Sequence, residues 1–130
     1  MSINNDNKKI LAIDNEEYIQ EVIKICLETT TNWQVITAKS GQEGIEKAKL
    51  EKPDAILLDL MMPGMDGIAT FKHLKDSLIT NPIPVILLTA KLQSNDRKSY
   101  TELGIQAAIT KPFRPLTLAE EISELLGWNH

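Results

Sequence analysis

Nowhere does an apolar run in this chain approach the ~20 residues that cross a bilayer. The N-terminus, Met1-Ser-Ile-Asn-Asn-Asp6, lacks the basic-then-apolar order of a secretory signal. The single cysteine, Cys26, excludes an internal disulfide and agrees with a reducing, cytoplasmic setting. It falls in the apolar pattern of a helix and reads as buried filler. There is no basic excess either: the net charge is −4, and Lys8-Lys9 and Arg97-Lys98 are short pairs without interleaved aromatics. Non-specific nucleic-acid binding depends on neutralising phosphates, so neither nucleic acid nor membrane is an expected partner. What is present is ordinary globular composition, 42% apolar and 25% charged, in 130 residues. That suffices for one domain with a real core, taken as 1–130 with its core from about 8 to 127.

Along the chain, short apolar runs alternate with helical patterns. Ile10–Ile13, Trp33–Thr37, Asp54–Asp59, Val85–Leu88 and Ala107–Thr110 read as strands. Between them, Ile19, Val22, Ile23, Cys26 and Leu27 recur at helical spacing, giving a helix over 16–29. Ser40 caps a second helix running to about Glu51, with Glu43 at capping-box spacing. A third opens at Met65 or Asp66 and runs to about Leu78, with Ile68, Phe71, Leu74, Lys75 and Leu78 toward the sheet. A polar helix follows over 94–103, ended by Gly104. Pro115 starts the last, with Leu118, Ile122, Leu125 and Leu126 inward. Strands alternating with helices predict an α/β, doubly wound (βα)5 fold: a five-stranded parallel sheet in the flavodoxin-like order 2-1-3-4-5.

The run Asp54-Ala-Ile-Leu-Leu-Asp59-Leu-Met-Met-Pro63-Gly64-Met-Asp-Gly67 carries the most information. A doubly buried strand ends abruptly on a carboxylate and meets turn residues at once. Open α/β sheets bind ligands at the carboxyl ends of their strands. In the expected order, the ends of strands 1, 3, 4 and 5 carry Asp14-Asn15, Asp59, Thr89 and Lys111. All of these converge on one rim.

With Asp14, Asp59 and its Pro63-Gly64 loop, Thr89-Ala90 and Lys111-Pro112-Phe113 in this order, the chain resembles the receiver (CheY-like) domain of two-component response regulators over nearly its whole length. The resemblance implies phosphoryl transfer to Asp59 from a sensor histidine kinase or a histidine phosphotransfer protein. It also implies Mg²⁺, held by Asp14, Asn15, Asp59 and the backbone carbonyl of Met61. Lys111 would offer its ammonium to the phosphoryl oxygens and to Asp59. Thr89 would hydrogen-bond the phosphoryl group and, drawn inward, act as the switch toward an unknown downstream protein. A cis Lys111-Pro112 bond is implied as well. A phosphoacceptor signalling domain of this kind is not an enzyme beyond catalysing its own phosphorylation and slow dephosphorylation.

The chain departs from that pattern at two positions. Receivers carry two acidic residues after strand 1, and here the second is Asn15, so the site loses one negative charge. An aromatic expected three residues before Lys111 is Ala108, which cannot gate a pocket as a ring does. These two residues support an alternative, a degenerate receiver acting as a phosphorylation-independent scaffold. A nucleotide- or flavin-binding flavodoxin-like domain would need a Gly-rich loop after strand 1, where Asp14-Asn-Glu-Glu17 stands instead. Met61, Met62 and Met65 read as loop packing, and His73 as a surface histidine. Met61 and Lys91, each two residues past a key residue, occupy positions that the resemblance links to phosphoryl lifetime, or read as packing and solvated surface; Asp96, Arg97 and Lys98 read as docking or solvated surface. The chain ends shortly after the last helix, so output is expected through protein–protein contact or phosphorelay, unless the sequence is a fragment from which an output domain was removed.

Overall fold

Ala55–Asp59 and Val85–Thr89 are buried at every position, so the strands they form need cover on both faces. The computed structural model describes residues 7–60, 67–89, 105 and 107–128. Strands β1 (Lys9–Ile13), β2 (Gln34–Ala38), β3 (Ala55–Asp59), β4 (Val85–Thr89) and β5 (Ala107–Thr110) form one parallel sheet. Its order is β2-β1-β3-β4-β5, the doubly wound order expected from the sequence. The described helices are α1 (Glu17–Thr30), α2 (Gly41–Glu51), α3 (Gly67–Asp76) and α4 (Leu118–Leu126). Among the described residues, no helix is long and apolar enough to cross a membrane.

The two faces have separate cores. Ile23 and Leu27 of α1, with Leu118 and Ile122 of α4, pack with Ile10, Ala12, Leu57 and Ile109. On the other face Ile45, Ala48, Phe71 and Leu74 join Leu11, Ile13, Leu58 and Leu87. Fully burying one such aliphatic side chain stabilises by roughly 1.5–3 kcal/mol. A half-exposed surface ion pair such as Lys47–Glu43 contributes about 1 kcal/mol or less. The apolar layers therefore hold the sheet.

Helix ends follow local chemistry. Ser40 caps α2 by accepting the Glu43 N–H at 3.1 Å, while the Glu43 carboxylate accepts the Lys39 N–H at 2.7 Å. The expected α3 runs too far at its carboxyl end. It stops at Asp76, and Leu78 is 92% exposed in the turn that follows rather than facing the sheet. The reason is a competing cap: the Thr80 hydroxyl donates to the Leu74 carbonyl, and Asn81 Nδ2 donates to the Lys75 carbonyl. Lys75 does lean inward, donating to the carbonyls of Asn81 and Ile83.

The last helix also differs. Pro115–Thr117 forms a 3-10 turn, and α4 proper begins at Leu118. Leu118, Ile122 and Leu126 pack inward, but Leu125 is exposed. Ala119 and Ser123 share the buried stripe, and that rotation leaves Leu125 at its edge. Strand β2 and helix α1 each sit one residue later than expected. The expected start of α3, the Pro63-Gly64 loop and the polar helix over 94–103 lie outside the described residues, as do Met61, Met62, Met65, Lys91, Asp96, Arg97, Lys98 and His130.

Candidate functional site

Strand register builds the rim. Ile13 is level with Leu58, Asp59 with Leu88, and Thr89 with Thr110. Asp14 thus follows β1 level with Asp59, and Lys111 follows β5 one step past Thr89. Side chains alternate along a strand, so Asp14, Asp59 and Lys111 continue the face that carries Ala12, Leu57 and Ile109. Three residues far apart in sequence are thereby aimed at one spot.

They meet there. Lys111 Nζ lies 3.1 Å from Asp14 Oδ2 and 3.2 Å from Asp59 Oδ1. Asp14 is fully buried and Asp59 is 4% exposed. Burial alone would push the Lys111 ammonium down, but Asp14 and then Asp59 outweigh it and hold it above the usual lysine value. The second Asp14 oxygen, Oδ1, accepts the Glu16 N–H at 2.9 Å, which opens α1 with an Asx-type turn. Thr89 is buried at the end of β4, and its carbonyl accepts the Lys111 N–H at 2.8 Å. The Lys111-Pro112 peptide is cis.

Helix α3 starts hard against this rim. A Cβ on Gly67 would stand 2.6 Å from both the Asp59 carbonyl oxygen and the Leu60 Cα. The Gly67 N–H also donates to the Leu60 carbonyl at 3.1 Å. The glycine that closes the Asp59 run is therefore required by close backbone approach.

Asn15 sits on the rim beside Asp14 with its side chain exposed. Met61, the fourth expected metal ligand, lies outside the described residues. Two carboxylates and one ammonium leave the cluster one formal negative charge, and every donor is a hard oxygen. That set fits a hard divalent cation that keeps several waters. Among the described residues no three acidic, histidine or cysteine side chains come together. Ala108 packs against the α2–α3 face, level with Leu87. Cys26 is buried, and burial pushes its thiol up, in keeping with filler. His73 is exposed on α3.

One polar residue escaped the sequence reading. Gln20 is 9% exposed, and its Nε2 donates to the Asp14 carbonyl at 2.6 Å and the Ala38 carbonyl at 3.3 Å. The signal was present: Gln20 precedes Ile23 by three residues and Leu27 by seven, inside the apolar stripe.

Comparison with known proteins agrees with this fold. The family model described as the response regulator receiver domain matches residues 10–123. The chain is 40% identical over 120 residues to the alkaline phosphatase synthesis transcriptional regulatory protein PhoP of Bacillus subtilis, covering 92% of this chain and 49% of that protein. It spans about half the length of the curated relatives it matches. Among solved structures, the chemotaxis protein CheY4 of Vibrio cholerae superposes with a TM-score of 0.85 at 26% identity, over 92% of this chain and 98% of that one. The receiver domain of a Pseudomonas aeruginosa sensor histidine kinase, described with a magnesium ion coordinated in its active-site cleft, gives 0.81 at 25% identity, over 93% and 98%.

Proposed function

The chain belongs to the response regulator receiver family, and on that premise we propose that Asp59 accepts a phosphoryl group from a phosphohistidine. A carboxylate repels a phosphoryl group, so charge must be neutralised while donor and acceptor are held in line. The Asp59 carboxylate attacks phosphorus; a P–O bond forms as the P–N bond breaks. The electron pair returns to the imidazole, which takes a proton from water. Lys111, already hydrogen-bonded to Asp59, shifts its ammonium onto the incoming phosphoryl oxygens. Thr89, at the neighbouring strand end, supplies a hydroxyl to the transferred group, and its inward movement is the switch. Asp14, Asn15, Asp59 and the Met61 carbonyl would hold Mg²⁺. When bound, the ion supplies positive charge against the phosphoryl oxygens.

The observation that carries this reading is the shared ammonium of Lys111 between two buried carboxylates. The donor partner is a sensor histidine kinase or histidine phosphotransfer protein. Output is protein–protein contact or onward relay of the phosphoryl group. The transcriptional role in the PhoP name belongs to that protein.

Intact mass after incubation with a small phosphodonor and Mg²⁺ tests the proposal, with Asp59→Ala alongside. One phosphoryl group on the native chain and none on the variant is the expected result. No gain at any Mg²⁺ concentration would overturn it and favour the phosphorylation-independent scaffold, for which exposed Asn15 and small Ala108 speak.

A further inference from the structure

Strands β1 and β2 separate at the rim. Their last paired residues are Ile13 and Ala38, and the Asp14 N–H still donates to the Ala38 carbonyl at 3.0 Å. Beyond Ala38 the chain turns away into α2, capped by Ser40. The Asp14 carbonyl thus lies one peptide past the ladder, next to a fully buried side chain. A carbonyl in such surroundings requires a donor.

Gln20 provides one from the first turn of α1. Its amide gives the 2.6 Å bond to Asp14 and the longer 3.3 Å bond to Ala38, closing the gap between the two strand ends. The Asp14 side chain is fixed separately, by the Glu16 N–H and by Lys111. What Gln20 fixes is the peptide plane between Asp14 and Asn15. Rotation of that plane would swing Asn15, which is exposed at the rim.

We propose that Gln20 is a positioning residue for the cation site: by holding the Asp14 carbonyl, it sets the direction in which Asn15 presents its oxygen to Mg²⁺ beside the separately fixed Asp14 carboxylate. This rests on the function proposed above and adds a residue that touches neither phosphoryl group nor metal. An apolar side chain would fill the same place in the α1 stripe, so an amide there has a task besides packing. Asn15 contributes no charge, so ligand direction matters more in this chain than where two carboxylates follow β1.

Calorimetric Mg²⁺ titration of the full chain, with thermal unfolding in parallel, tests the proposal on Gln20→Met and Thr80→Val. Thr80 is also a buried polar residue, and its hydroxyl serves the Leu74 carbonyl at the opposite end of the sheet. Both variants are expected to melt lower. Only Gln20→Met is expected to lose Mg²⁺ affinity, by about tenfold, the lower end for residues that orient metal ligands. Native affinity in Gln20→Met, or an equal loss in both variants, overturns the positioning role and leaves the proposed function standing. Absence of Mg²⁺ binding by the native chain overturns both. Should Gln20→Met fail to fold, Gln20→Asn, one methylene too short to reach both carbonyls, takes its place with the same two readings.

Discussion

Lys111 and Asp14, 97 residues apart in sequence, meet through an ammonium–carboxylate contact of 3.1 Å. Lys111 also reaches Asp59, so one cation serves two buried carboxylates. Removing one partner of a buried charge cluster costs more than the cluster contributes, because the remaining charges stay out of water.

Lys111→Met is therefore expected to destabilise the chain by about 3–5 kcal/mol in urea unfolding at neutral pH. Added Mg²⁺ should recover more of the loss in the variant than it adds to the native chain. The pH dependence has a definite sign. Lys111 is held above its ordinary value of 10.5, so its contribution is full below that pH and is lost as pH rises through the folded value. Stability measured across that alkaline range should fall for the native chain and stay flatter for Lys111→Met. Parallel curves would show that the ammonium is not the stabilising partner.

Asn15→Asp is expected to tighten Mg²⁺ binding. A unit charge pair at ~4 Å and effective ε of about 20 is worth ~4 kcal/mol before desolvation and screening. Position 15 is exposed, so only part of that survives, on the order of tenfold in affinity. Identical calorimetric affinities for the two proteins would mean that position 15 does not contact the cation.

Gly67→Ala forces a methyl against the backbone of Asp59 and Leu60, neither of which can rotate away. The expected loss is about 1–3 kcal/mol by chemical denaturation. Phosphoryl uptake by intact mass should slow with it, since the clash displaces Asp59, the proposed acceptor. Native stability together with native uptake would show that the loop after β3 can shift at little cost.

The α2 cap gives a prediction on the acid side. The Lys39 N–H, with help from Lys47 and against a smaller burial effect, holds the Glu43 carboxyl below its usual value. That contribution is present above the ordinary value of 4.5 and is lost as pH falls through the folded one. Glu43→Gln should melt lower than the native chain at neutral pH and converge with it in acid. Ser40→Ala should cost about 1 kcal/mol at every pH. A constant gap between Glu43→Gln and native melting temperatures would assign the effect to something other than charge.

Much of this protein was written in local patterns. Apolar runs bounded by breakers marked all five strands, and each of Asp14, Asp59, Thr89 and Lys111 could be placed at a strand end because strand ends are set by neighbours in sequence. The same locality gave the Ser40–Glu43 cap, while the strand order followed from the few topologies open to a doubly wound sheet of five strands. Only the tertiary structure decided that one Lys111 ammonium is shared by Asp14 and Asp59, since that depends on register across three strand pairings. It also turned Leu78 and Leu125 outward, through a cap made by Thr80 and Asn81 in one case and the rotation of a helix on the sheet in the other. And it gave Gln20 its two carbonyls, because those become accessible to a donor only where two strands part and a helix crosses above them. Hydrophobic period marks the face of an element that is buried; where that face ends, and the partner a buried polar group finds, are fixed by elements that meet only on folding.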